Sequence, residues 1–188
     1  MASEPFWVKP RLVSLRDGAV VTLRPEETRD LEPTWDMFSS LTRDTLRFLP
    51  IPITRERVEC WFRDINYERA LPILAFADAP KGERMIASAT LAFNQAPHVR
   101  HVAQFGITVH DDYQNRGLGT ILTQYMVEIA KERGVKKVSL EVVVENERAI
   151  KVYERCGFRK EGRLEKANWN YVTQTYCDDY LMALLLES

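Results

Sequence analysis

The sequence predicts a mixed α/β domain, one sheet with helices on its faces and no regular βαβ repeat. Three observations lead there. Apolar residues recur at helical spacing in four segments and at strand spacing, or in short strand-length runs, between them. These segments run strand, two helices, three strands, helix, strand, helix and two strands, so successive strands are grouped instead of alternating with helices. The chain of 188 residues is long enough to bury about 70% of its unfolded surface in one core. No Pro/Gly/Ser-rich linker, internal repeat or low-complexity tract divides it, so a single domain spanning 1–188 is expected.

Each element has its own warrant. Val20, Val21 and Leu23 before Pro25 read as a strand, with Asp17-Gly18 as a hairpin turn just ahead of it. Leu31, Trp35, Phe38 and Leu41 stack on one helical face. After Pro50 and Pro52, Thr54 is an N-cap for a helix that buries Val58, Trp61, Phe62 and Ile65. Runs at 71–77, 84–94 and 100–109, separated by Pro80-Lys81-Gly82 and by Ala96-Pro97, suggest an antiparallel meander. Ile121, Leu122, Tyr125, Met126 and Ile129 mark an amphipathic helix that starts beyond Gly117 and stops at Gly134. Val138, Leu140, Val142 and Val144 alternate as a strand, and a helix over 146–156 ends at Gly157. The last strands are expected at 158–164 and, after an aromatic stretch at 169–176, at 180–186.

Composition narrows the function classes. Lys plus Arg number 26 against 27 Asp plus Glu, a net charge of -1, so no global basic field invites nucleic acid or anionic lipid. Any anion must be held by a local site. Three cysteines, Cys60, Cys156 and Cys177, show no C-x-x-C spacing and suggest a reducing compartment. Residues 1–10 lack a basic start followed by an apolar run, and no window approaches the ~20 apolar residues of a membrane span. A cytoplasmic protein without membrane contact is expected. His98, His101 and His110 lie on or beside strands with no accompanying ligand motif, so surface histidines and no metal are expected.

The most informative stretch joins a strand to the helix beyond Gly117: Val109-His110-Asp111-Asp112-Tyr113-Gln114-Asn115-Arg116-Gly117-Leu118-Gly119-Thr120. The first N–H groups of a helix lack internal partners, and the helix dipole makes that end partly positive, so a start free of side chains can cradle a phosphate. Gly117 and Gly119 let a ligand touch backbone, and Arg116 adds a charged donor. Two other phosphate motifs fail on the same residues. No lysine follows Gly119, which removes a P-loop, and Leu122 stands where a dinucleotide fingerprint needs Gly or Ala. A tight turn with no ligand is the alternative.

Downstream, Leu140-Glu141-Val142 is followed by Asn146, Ala149, Tyr153, Gly157 and Phe158. Here the chain resembles the Gcn5-related N-acetyltransferase (GNAT) superfamily. That superfamily's acetyl-CoA signature, [QR]-x-x-G-x-[GA], fits Gln114 through Gly119, and its pattern N-x-x-A-x-x-x-Y-x-x-x-G-F fits Asn146 through Phe158 at every specified position. Leu15-Arg16-Asp17-Gly18, Leu23-Arg24-Pro25, Ser40-Leu41 and Arg47-Phe48 are more loosely similar to the Pat-type protein acetyltransferase branch. The resemblance implies a mostly antiparallel twisted sheet of about 6–7 strands with about four helices, splayed between its fourth and fifth strands. It also implies one N-acetyltransferase domain that uses acetyl-CoA and no metal. The backbone of Ile107, Thr108 and Val109 would then meet the pantetheine arm. Gln114, Asn115, Arg116, Gly117, Leu118, Gly119 and Thr120 would meet the pyrophosphate, and Asn146 either the acetyl end or its own helix as an N-cap.

Acetyl transfer to an amine meets a protonation problem, because an amine of pKa about 10.4 is neutral in only about one molecule in 2,500 near pH 7, a deficit of roughly 4–5 kcal/mol. A base must take a proton and an acid must meet the departing thiolate, while the resemblance implies that the Val109 N–H would polarise the carbonyl. Tyr153 shares a helical face with Asn146 and Ala149 and is the acid candidate and cofactor contact. Superfamily members often carry a glutamate where Gln104 stands, and glutamine is no base. Glu141, alternating against Leu140 and Val142, is the substitute, with a water, His101 and Glu145 as alternatives. Cys156 reads as a buried thiol, and Trp169, Tyr171 and Tyr176 as packing residues or walls of an acceptor pocket. The expected reaction is direct transfer in a ternary complex to a primary amine. A protein lysine is preferred over a protein N-terminus, an amino acid or a polyamine, and a non-catalytic acyl-CoA sensor is the rival.

Overall fold

A computed structural model describes residues 8–80 and 82–186. Lys81 of the expected turn, and residues 1–7 of the segment read for a leader, lie outside the described residues. Strands β1 (Arg11–Ser14), β2 (Val20–Pro25), β3 (Ala70–Ala79), β4 (Gly82–Phe93), β5 (Val102–Val109), β6 (Lys137–Val143), β7 (Arg159–Asn170) and β8 (Thr175–Leu185) form one sheet. Their order is β1-β2-β3-β4-β5-β6-β8-β7, antiparallel except between β5 and β6. Helices α1 (Leu31–Ser39), α2 (Arg43–Leu46), α3 (Arg55–Arg63), α4 (Leu118–Glu132) and α5 (Glu147–Arg155) cover it. Among the described residues, no helix is long and apolar enough to cross a membrane.

Alternation along β3 shows why its sequence is a nearly unbroken apolar run. Ile73, Ala75 and Ala77 enter a core with Leu122, Met126, Ile129 and Ile150 of α4 and α5. Leu74 and Phe76 enter a second core with Met37, Phe38 and Met85 on the opposite face, under α1 and α3. Thr54 caps α3 by accepting from the Arg57 N–H at 3.3 Å. The β1–β2 hairpin turns at Gly18, φ +84, where only glycine is unstrained.

Several expectations need correction. β1 and the four-residue α2 are additional elements, so among the described residues the sheet has eight strands and five α-helices cover it. β1 is too short and exposed to show a period. β7 does not stop at 164, and the aromatic stretch is its outer hairpin with β8, where Trp169 pairs with Tyr176 at 5.0 Å between ring centroids. Almost every side chain of β7 is exposed, which removes the alternation that would reveal the strand. Trp61 is not buried in α3, being 36% exposed with its ring edge-on to Phe38, and Ile65 is buried beyond the end of that helix.

The splay is the feature that positions the site. β5 and β6 pair only through Val102, Ala103 and Gln104 with Lys137, Val138 and Ser139. β5 then stays with β4 as far as Val109, and β6 stays with β8 as far as Val143. From Phe105 onward the two facing edges therefore separate into a notch. The His110 N–H donates to Ile86 O at 2.8 Å, so alternation turns the backbone groups of Thr108 and Gly106 toward β4 and those of Ile107 and Val109 into the notch.

Candidate active site

The notch opens into a cavity of about 1250 Å³ that reaches both faces of the sheet. At one end stands the start of α4. Gly117 holds φ +91 as its N-cap, and Asn115 has φ 62, so the chain enters the helix through two left-handed residues. A Cβ placed on Gly119 meets nothing within 4 Å, which leaves the first-turn N–H groups open to an anion. Leu118 is buried in the core and anchors the helix, offering only its backbone to the cradle.

Arg116 departs from expectation. Its guanidinium binds Asp17 at 2.8 Å and lies over the Tyr113 ring at 5.0 Å, because the β1–β2 turn brings Asp17 alongside. Arg16 instead lines the cavity beside the helix start, with its Cγ 3.3 Å from a Cβ built on Gly117 and its backbone N–H bonded to Arg116 O at 3.0 Å. Sequence reasoning placed Arg16 in a turn without giving it a site role, and its approach to Gly117 is a tertiary contact with no local signal.

Gln114 is a clamp. Its Nε2 donates to Val109 O at 2.9 Å and to Thr45 Oγ1 at 3.0 Å, while its Oε1 accepts from Arg148 of α5. The Val109 carbonyl is thereby occupied while its N–H stays directed into the notch. Thr108 lies opposite Ser88 on the α1–α3 face. Asn146 caps α5 by accepting from the Ala149 N–H at 3.3 Å and also lines the cavity. Thr120 lines the cavity from the first turn of α4.

Tyr153 is 7% exposed, and its ring packs edge-on against Phe105 at 6.2 Å and tilted against Phe158 at 5.9 Å. Its hydroxyl has no hydrogen-bond partner among the described residues, yet it is not sealed off, so it reaches the cavity. Burial raises its pKa well above the ordinary phenol value, which keeps the proton on oxygen at neutral pH.

Glu141 lies on the opposite face of β6 from Leu140 and Val142, is exposed, and lines the cavity. Asp179 of β8 shares that face, opposite Val143. It is 2% exposed, its Oδ2 accepts from Asn168, and its Oδ1 has no partner among the described residues. Burial, with Glu141 second, pushes its carboxyl up from the ordinary value. Gln104 also lines the cavity. Glu26, just past β2, is a further carboxyl in its wall, 5% exposed and pushed up to about 8 by burial and by neighbouring Asp30. Neither Glu26 nor Asp179 was singled out from sequence, although the Asp178-Asp179 pair directly before the apolar run of β8 was a visible signal.

His101 and Glu145 are exposed and do not line the cavity. His110 is not a surface histidine. It is buried, with Nε2 at 3.2 Å from Ser40 Oγ and 2.9 Å from Arg84, and burial and Arg84 lower its pKa. Cys156 is half-buried, its thiol pushed up by burial. Trp169 lines the cavity, whereas Tyr171 and Tyr176 are exposed. Among the described residues no group of three or more His, Cys, Asp or Glu is placed to hold a metal.

Several known proteins resemble this chain. The L-amino acid N-acetyltransferase AaaT of Escherichia coli (strain K12) is 36% identical over 100 residues, 53% of this chain and 60% of that protein. A ribosomal protein bS18-alanine N-acetyltransferase of Salmonella typhimurium is 38% identical over 80 residues, 43% of this chain and 53% of that protein. These matches span 60% or less of the relatives' lengths. In fold, the GNAT domain of S. lividans PAT is similar with a TM-score of 0.76 at 19% identity, covering 98% of this chain and 99% of that one. Spermidine N-acetyltransferase from Vibrio cholerae, solved with CoA and spermine, gives 0.71 at 22% identity, covering 88% and 95%. Residues 35–158, well over half of the sequence, match the family model described as Acetyltransferase (GNAT) family, and the chain belongs to that family.

Proposed function

We propose that the protein moves an acetyl group from acetyl-CoA to a primary amine by direct transfer in a ternary complex. The observation that carries this reading is the notch itself. The inward-facing Val109 N–H, the open start of α4 and the Tyr153 hydroxyl all border one cavity. Bound there, acetyl-CoA supplies an activated acetyl thioester. The α4 N-terminus and Arg16 suit its phosphates, and the free edges of Ile107 and Val109 suit its extended arm. The Val109 N–H serves as an oxyanion donor. Tyr153 holds a proton at its phenol oxygen for the leaving sulfur, and Glu141, directly or through water, takes one from the amine.

The acceptor is a primary amine. The Pat-like first third supports a protein lysine. A small polyamine is the second reading, favoured by the buried carboxyl of Glu26 in the cavity wall. Incubating the protein with acetyl-CoA and a panel of lysine peptides, amino acids and polyamines, with free thiol measured, tests the reaction. Acceptor-dependent thiol release is expected. Tight acetyl-CoA binding without such release from any amine would favour a sensor instead.

A further inference from the structure

On the α1–α3 face, residues of one register row form the floor of a trough. Gly106 of β5 pairs with Thr90 of β4, and Thr90 with Pro72 of β3. The next residue across the sheet is Glu26, whose N–H donates to Pro72 O at 3.1 Å. All four line the same cavity as the notch. The three floor residues are short, and a Cβ added at Gly106 meets nothing within 4 Å, so the space above the row is open. The trough runs from the edge of the notch to a carboxyl that is 5% exposed.

Among the described residues that carboxyl has no cationic partner. Arg24, the nearest arginine in sequence, is held by Asp30 in a two-pronged pair at 2.7 Å for each bond, with its guanidinium over Phe76 at 4.2 Å. The charge acting on Glu26 is the like charge of Asp30. Tyr67 donates to the backbone carbonyl of Glu26, not to its side chain. The Glu26 oxygens are not sealed from the cavity. A buried carboxylate left in this way is costly unless a cation joins it.

Glu26 is too distant to touch the reacting nitrogen. Three strand spacings of about 4.8 Å separate it from β5, roughly 14 Å, and the glutamate side chain recovers about 4 Å of that. We infer that Glu26 is a second-cation site: among small amines the preferred acceptor is a linear polyamine carrying another ammonium roughly 10 Å from the nitrogen that is acetylated. Glu26 thus sets acceptor specificity and takes no part in proton transfer. The inference rests on the amine-transfer reading above and refines its acceptor. Asp64 and Arg69 also line the cavity, and among the described residues neither forms an ion pair with Glu26, whose one charged influence is Asp30.

The test uses the full chain with acetyl-CoA and four amines: butylamine, 1,4-diaminobutane, 1,8-diaminooctane and spermidine. The two long amines should give kcat/KM at least tenfold above butylamine. Glu26→Gln should lower the ratio of 1,8-diaminooctane to butylamine kcat/KM by tenfold or more, chiefly through KM. Glu26→Asp should recover part of it. Calorimetric titration of 1,8-diaminooctane into the CoA-bound protein gives a readout independent of turnover, and the Gln variant should lose that binding. Equal losses for butylamine and the long diamine, or no preference of the unmodified protein for long diamines, would overturn the second-cation site while leaving amine transfer intact. Thiol release from no amine, with diamine binding retained, would instead overturn the transfer reading.

Discussion

Tyr153 and Glu26 are buried acids whose burial has different consequences. Tyr153, held among Phe105 and Phe158, keeps its proton at neutral pH and so remains a donor. Tyr153→Phe preserves the packing and removes only the donor. It should lower kcat by about 100-fold or more while acetyl-CoA affinity, followed by calorimetry, changes little. Unchanged turnover would remove Tyr153 as the acid. For Glu26 the consequence is stability. Its folded pKa is about 8 against 4.5 as the reference. Between these values the folded state holds the extra proton, so stability is fullest below pH 4.5, falls as pH rises, and reaches its floor above 8. Glu26→Gln escapes that loss. Its melting midpoint should equal that of the unmodified protein near pH 4 and exceed it at pH 9 by about 4 °C or more, given 2–4 °C per kcal/mol at this size. A constant difference across that range would contradict the burial argument.

At the scale of elements, the entrance and exit of α4 form a matched pair. Gly117 at its start holds φ +91 and Gly134 beyond its end holds φ +73, a region that costs a residue with a Cβ about 1–2 kcal/mol. Gly117 faces Arg16 and the cavity, whereas nothing lies within 4 Å of a Cβ built on Gly134. Both Gly→Ala variants should lose similar stability by thermal melting, yet only Gly117→Ala should weaken acetyl-CoA binding, by about tenfold. Comparable binding by the two variants would separate the helix start from the cofactor. The same helix explains what was legible in the sequence. Ile121, Leu122, Tyr125, Met126 and Ile129 point one way because one face meets the sheet, so α4 could be read within a residue or two. The part of β7 beyond Leu164 could not, since its side chains are largely exposed and no period distinguishes it from a loop. Tyr153 and the glycines at 117 and 119 were legible because helical spacing and backbone freedom are local properties. The partners of Arg116, the clamp of Gln114 on Val109 and the burial of Glu26 and Asp179 depend on segments distant in sequence, and local pattern carries no trace of them.

Across the whole molecule, the site is assembled from parts that the hydrogen-bonded sheet does not join directly. Beyond Gln104 and Ser139, β5 and β6 have no ladder between them. The β5 side then connects to the α5 side largely through side chains, of which the Gln114 to Arg148 contact is one. A ligand lying along the notch would touch β5, α4 and α5 at once, and would restore by binding the bridge that the splay removes. Because such a ligand binds only the folded chain, it stabilises by about 2.7 kcal/mol at a free concentration 100 times Kd. For a domain of this size that corresponds to a rise of roughly 5–10 °C in the melting midpoint. Acetyl-CoA should produce this shift, saturating with the same Kd as calorimetry. Gln114→Ala, which frees the Val109 carbonyl and cuts the link to Arg148, should lower the starting midpoint and weaken acetyl-CoA binding together. Amide exchange would locate the effect: acetyl-CoA should slow exchange at Ile107 and Val109, whose N–H groups face the notch, more than at Thr108, already turned toward β4. Equal protection of all three would mean that the ligand tightens the sheet in general and does not pair with the free edge of β5.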